Sequence, residues 1–95
     1  MCCVYILYSK SSNKFYVGST KNLSERLEFH KNKEFKDSYT SKAEDWELYF
    51  SLETKNISIA LKIEKHIKRM KSKIYIKNIK IHPEISIKLI EKYSN

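Results

Sequence analysis

Residues Phe15–His30 read FYVGSTKNLSERLEFH. Gly18 is the only glycine in 95 residues, and Arg26 is one of two arginines in a chain that otherwise uses lysine for positive charge. The stretch changes period in its middle. Lys14 to Ser19, KFYVGS, is rich in β-formers. Asn22 then offers a helix start, with Glu25 three residues on as a capping-box-like partner. Leu23 and Leu27 share one helical face, and Arg26 and His30 share a neighbouring one, each pair at i,i+4. A strand leading straight into a helix is the reading from which the rest of the fold is built.

Upstream, Cys2 to Ser9 is an apolar, β-rich run too short for a helix. The polar turn SKSSNK joins it to the second strand, giving an antiparallel hairpin. Downstream, the helix is expected to end in the charged segment KNKEFKDS. Trp46 to Leu52, WELYFSL, reads as a third strand, with Trp46, Leu48 and Phe50 on one face and Glu47, Tyr49 and Ser51 on the other. Asn56 or Ser58 can cap a second helix whose apolar positions are Ala60, Ile63, Ile67, Met70 and Ile74. NIKIHP breaks that pattern, because the residue before Pro83 resists the helical conformation. Pro83 suits the first turn of a last helix, about 83–93, with Ile85, Leu89, Ile90 and Tyr93 inward. The expected fold is therefore α+β: a small three-stranded antiparallel sheet flanked by helices, in the order β-β-α-β-α-α. A chain of this length forms a single domain, here 1–95, around one modest core.

The net charge of +8 is unevenly placed. Residues 1–54 hold eight Lys/Arg and eight Asp/Glu, whereas residues 55–95 hold eleven Lys/Arg and three Asp/Glu. A basic half of this kind points to a polyanionic partner; the plainer reading is a solvated surface in a lysine-rich composition. No apolar run approaches the ~18 residues of a membrane span, and the N-terminal MCCVYILYSK reads as a strand rather than a leader. Cys2 and Cys3 are adjacent and without other cysteines, which fits a disulfide-free fold in a reducing compartment such as the cytoplasm. No His/Cys cluster has zinc spacing.

Several residues stand out against this background. Tyr5 and Tyr16 lie one on each hairpin strand, where tyrosine is ordinary strand filler. Gly18 weakens a short strand, so it implies a bulge or a close approach of backbone or ligand. Glu64 lies at the margin of the apolar stripe of its helix and is the only acid between Glu53 and Glu84, among Lys62, Lys65, Lys68, Arg69 and Lys71. It is either an i,i+4 partner for Lys68 or a lone carboxylate for a divalent metal completed by water and phosphate.

VYI on strand one, YVG on strand two, KNLSERLEFH after it and a Glu inside ALKIEKHIK together resemble the GIY-YIG nuclease family, most of all its small stand-alone members. The resemblance covers about residues 4–71 and includes the element order. It implies roles residue by residue. Tyr5 matches the first motif's tyrosine, Tyr16 and Gly18 match the second motif, and Arg26 matches the helix arginine. His30 stands where the family has His or Tyr, and Glu64 matches the metal-binding glutamate. Cys3 replaces the first motif's glycine and Val17 replaces an isoleucine.

The activity implied is that of a Mg²⁺- or Mn²⁺-dependent endonuclease hydrolysing DNA phosphodiesters, structure-specific or partner-directed, in DNA repair or processing. RNA stays open as a substrate, and either Tyr5 or Tyr16 can be the general base. Gly18 and Arg26 are expected to face one phosphate, the glycine by letting backbone approach and the arginine by its planar fork. Lys21, Asn22, Lys68 and Lys71 are candidate nucleic-acid contacts. The rivals are a non-catalytic nucleic-acid-binding module of the same fold and a domain that docks on a protein.

Overall fold

β1 (Cys3–Ser9) is the middle strand of a sheet ordered β2-β1-β3, antiparallel throughout, with β2 (Lys14–Thr20) and β3 (Trp46–Glu53) on its flanks. The computed structural model describes residues 2–31 and 45–94, and of residues 29–31 the backbone alone. The helices are α1 (Leu23–Lys31), α2 (Ile57–Met70), α3 (Lys73–Ile81) and α4 (Pro83–Tyr93). The α+β class and the antiparallel sheet expected from the sequence are both present. Among the described residues, no helix is long and apolar enough to cross a membrane.

A central strand covered on both faces reads as a continuous apolar run rather than an alternating one, and Cys3 through Leu7 are all buried. Val4 and Ile6 face one way and join Val17 of β2, Ile59, Ala60, Ile63 and Ile67 of α2, Ile76 and Ile79 of α3, and Leu89 of α4 in one core. Ile85, Ile90 and Tyr93 of α4 pack against it, as the spacing of that helix predicts. Tyr5 and Leu7 alternate to the opposite face. Cys2 and Cys3 are free thiols, and burial pushes the Cys3 thiol upward from its ordinary pKa.

Register places Tyr5 opposite Gly18. A Cβ at position 18 would lie 2.6 Å from the Tyr5 hydroxyl oxygen, 2.7 Å from Cζ and 3.0 Å from Cε1. Gly18 has no positive φ. Glycine is needed for space, not for backbone freedom, and what occupies the space is the Tyr5 phenol. The close approach inferred from the sequence is real, and its partner within the chain is the Tyr5 side chain of the neighbouring strand.

Two expectations change in the details. In β3, Ile6 pairs with Phe50 but Leu7 with Leu48, so Tyr49 is an extra residue in the ladder. Such a bulge resets the alternation. Leu48 therefore leaves the face of Phe50 and is 44% exposed, while Tyr49 packs edge-on to Phe15 at 5.0 Å between centroids. The helix expected to run through Met70 and Ile74 is two helices. Lys71 caps α2 in the left-handed conformation, φ 49° and ψ 40°, and Ser72 caps α3 by accepting from the Tyr75 N–H at 3.1 Å. Met70 and Ile74 are accordingly 47% and 72% exposed instead of inward. NIKI closes α3, and His82 before Pro83 is extended, as the proline requires.

Polar contacts tie the pieces together. Asp45 accepts from the Ser9 hydroxyl at 2.6 Å, the Ser11 N–H at 2.7 Å and the Ser11 hydroxyl at 2.9 Å, fastening the start of β3 to the β1–β2 turn. These bonds, Ser9 first, hold its carboxyl down at about 2. His66 of α2 lies between two tyrosines, with Nδ1 2.9 Å from the Tyr93 hydroxyl and Nε2 3.1 Å from the Tyr75 hydroxyl. One imidazole thus joins α2, α3 and α4. Burial, then the charges of Lys92 and Arg69, lower its pKa.

Two outcomes follow from this packing. Gly18→Ala should destabilise the fold by about 1–3 kcal/mol in urea titration, the usual cost of overpacking. Adding Tyr5→Phe should not restore stability, because Cζ itself stands in the way; a double variant as stable as wild type would refute the packing account. His66 favours the neutral form when folded, so its contribution is complete above the unfolded value of ~6.5 and is lost as pH falls through it towards the lower folded value. The melting temperature of the wild type should therefore fall more between about pH 7.5 and 5.5 than that of His66→Gln. Parallel curves would contradict this assignment.

Candidate active site

β2 is an edge strand, and the candidate residues gather around that edge. Alternation along β2 sends Tyr16 and Gly18 to the face of Tyr5, and Val17 and Ser19 to the face of α2. On α2, Ile57, Leu61, Glu64 and Lys68 recur at three- and four-residue spacing and form one stripe, and the cap residue Lys71 follows at its end. The site straddles the strand, with tyrosines on one side and the stripe of α2 on the other.

Glu64 is the fixed point. The Ser19 hydroxyl donates to its Oε1 at 2.5 Å, and the Lys68 ammonium donates to its Oε2 at 2.6 Å. The Glu64 side chain is only 15% exposed, while that of Lys68 is 51% exposed. The intrahelical ion pair with Lys68 exists, and the carboxylate is also tied to the second motif strand. Ser19 escaped the reading of the sequence. Its signal was a polar residue on the face that otherwise carries Val17.

The Tyr5 and Tyr16 rings lie 6.3 Å apart between centroids. Tyr5 is 1% exposed, and Tyr16 is half-buried. The Lys68 ammonium lies 6.0 Å from the centroid of the Tyr16 ring. Burial pushes the Tyr5 hydroxyl well above the ordinary phenol range, with Tyr16 and Glu64 adding to the rise and Arg26 opposing it. Tyr5 therefore keeps its proton near neutral pH and can act as a donor. Arg26 and Glu64, one from each motif helix, both bear electrostatically on the Tyr5 hydroxyl, in opposite directions.

Arg26 is half-buried on α1, which starts as the sequence predicts. Asn22 Oδ1 accepts from the Glu25 N–H at 3.1 Å, and the Asn22 carbonyl accepts from the Arg26 N–H at 3.1 Å. Thr20 Oγ1 accepts from the Asn22 N–H at 3.1 Å and fixes the step from β2 into the helix. Arg26, Lys21, Thr20 and Ser19 line a cavity of about 400 Å³ closed by Ile57 and Leu61 of α2. Of the candidate nucleic-acid contacts, Lys21 borders this cavity, Asn22 serves as the helix cap, Lys68 pairs with Glu64, and Lys71 lies farther along the stripe. The α1 backbone continues through His30, whose side chain lies outside the described residues.

The donor atoms at this edge are oxygens: the Glu64 carboxylate and the hydroxyls of Ser19, Tyr5 and Tyr16. Among the described residues no three His, Cys, Asp or Glu side chains converge. One carboxylate with hydroxyl neighbours fits Mg²⁺, which is commonly held by one or two carboxylates with water and phosphate completing the shell. It does not resemble a zinc site, which needs three or four protein ligands.

No curated protein and no solved structure gives a significant match to this chain. A family model does: that of the GIY-YIG catalytic domain matches residues 1–79. The match spans the hairpin, α1, β3, α2 and most of α3, and so includes every residue described above at the edge of β2. The chain belongs to the GIY-YIG family, whose domain implies nuclease-type action on DNA.

Proposed function

We propose that the protein is a divalent-metal-dependent endonuclease that hydrolyses DNA phosphodiester bonds. The observation that carries this reading is the placement of Glu64: a largely buried carboxylate bound to Ser19 of the second motif strand, across that strand from the face of Tyr5 and Tyr16, and bearing with Arg26 on the Tyr5 hydroxyl. A purely structural ion pair with Lys68 would require neither the tyrosines nor the arginine.

Glu64 would hold Mg²⁺ or Mn²⁺, with Ser19 orienting the carboxylate. Such an ion, when bound, polarises the phosphate and stabilises the leaving oxygen. The remaining chemistry falls to the chain. Arg26 would place its guanidinium fork on a non-bridging oxygen and oppose the charge gathered in the transition state. Tyr5, kept protonated by burial, would donate a hydrogen bond to phosphate or water. Tyr16, more accessible than Tyr5, would take the proton of the attacking water. His30 would orient the base or relay its proton.

The eleven Lys/Arg of residues 55–95 would meet the DNA backbone. We take cutting to be structure-specific or partner-directed, in DNA repair or processing, because a domain of this size offers little surface for reading sequence. The free thiols fit a reducing compartment such as the cytoplasm.

Nicking of supercoiled and branched DNA should require Mg²⁺ or Mn²⁺ and stop with EDTA. It should be lost in Glu64→Ala and in Arg26→Ala, and Arg26→Lys should recover little of it. Tyr16→Phe should lower the rate by about 10²–10⁴-fold, the usual worth of a general base, whereas Tyr5→Phe should retain more activity. The reverse order of the two tyrosines would reassign the base. DNA left intact by the wild type with either metal, but bound with a steep salt dependence, would identify a non-catalytic binding module instead.

A further inference from the structure

A second groove of about 460 Å³ lies on the other side of Glu64 from the Arg26 cavity. Its floor is apolar: Val17 of β2, Ile67 of α2 and Ile76 of α3, all buried. Its rim is cationic, formed by Lys14, Lys71 and Lys73, and among the described residues no acidic one lines it. Tyr16 and Lys68 belong to its wall as well as to the candidate active site, so the two are continuous.

The rim is built by two turns that each use a non-glycine residue at positive φ, Asn13 at 53° and Lys71 at 49°. They are tied together where the Lys73 ammonium donates to the Asn13 carbonyl at 2.7 Å. Lys71 follows Glu64 by seven residues, about 10 Å along a helix. That spans about three stacked nucleotides of one strand, and fewer where the strand is pulled out of its stack.

An apolar floor inside a lysine rim is poorly matched to duplex DNA, whose base faces are stacked inside and whose backbone presents phosphate and sugar. It matches a splayed-out nucleotide, which offers an apolar base face and an anionic backbone together. We propose that this groove takes an unpaired nucleotide of the DNA substrate, its base on Val17, Ile67 and Ile76 and its phosphates on Lys14 and Lys71, next to the phosphate at Glu64. The protein then selects DNA with a single-stranded tail or flap beside the cut. This rests on the nuclease reading for the position of the cut, but the binding preference can be measured without cleavage.

The test is fluorescence anisotropy in EDTA at fixed salt, with a blunt duplex and with the same duplex carrying a short single-stranded overhang. The overhang should tighten binding by about tenfold, the scale of one base contact. Lys14→Ser, outside the basic half that meets the duplex backbone, should cut that gain to about twofold or less while changing blunt-duplex affinity by no more than about twofold. The overhang made with a photoreactive pyrimidine should cross-link within residues 14–17 or 67–76.

No gain from the overhang overturns the proposal; that is also what an extended peptide as the true occupant of the β2 edge predicts. A gain that survives Lys14→Ser overturns it, as does an equal loss on both DNAs. Loss of metal-dependent nicking with the preference intact would sink the nuclease reading alone. Nicking that ignores overhangs, with no binding preference, would sink this proposal alone.

Discussion

The phenol of Tyr5 lies where the side chain of any other residue at position 18 would begin, and much of the site depends on that contact. It is compatible with one register of β1 against β2. A slip by one residue would exchange the faces of every side chain on β2. With the register set, Tyr16 stays beside Tyr5, Val17 enters the core, and Ser19 faces α2, where it meets Glu64. A glycine that looks like an allowance for substrate is first an allowance for a tyrosine.

The electrostatics of the edge follow from this arrangement. Glu64 serves two partners of opposite origin, a hydroxyl from the sheet and an ammonium from its own helix. The ion pair within α2 and the tie to the sheet therefore coexist on one carboxylate. Burial separates the two tyrosines. Tyr5 is enclosed, and its hydroxyl is pushed above the ordinary phenol range, while Tyr16 is half-buried with the Lys68 ammonium 6.0 Å from its ring centroid.

Much of this was legible in the linear pattern because the decisive signals are local. The apolar run of β1, the turn SKSSNK, the Asn22 cap and the proline at the head of α4 are each read within a few residues, and each appears in the fold. The spacing of Tyr5, Tyr16, Gly18, Arg26 and Glu64 was sufficient to mark the family. The bulge at Tyr49 and the break after Met70 were not legible. Ile63, Ile67, Met70 and Ile74 keep helical spacing across a turn that interrupts the helix, and lysine at 71 carries no mark of the left-handed conformation that glycine would have signalled. In β3, strict alternation of Trp46, Leu48 and Phe50 concealed an extra residue whose placement is settled by the pairing with β1.

The sequence by itself determined the class of fold, the order of its elements through α2, the concentration of positive charge in residues 55–95 and the family. These rest on periodicity, caps and residue identity, which are properties of neighbours along the chain. Only the tertiary structure decided that Gly18 makes room for Tyr5, that Ser19 binds Glu64, that His66 joins three helices, and that an apolar groove with a lysine rim adjoins the site. Each of these is a contact between residues distant in sequence, made by strand register and helix docking, and residue identity alone cannot specify which side chain will occupy a given space.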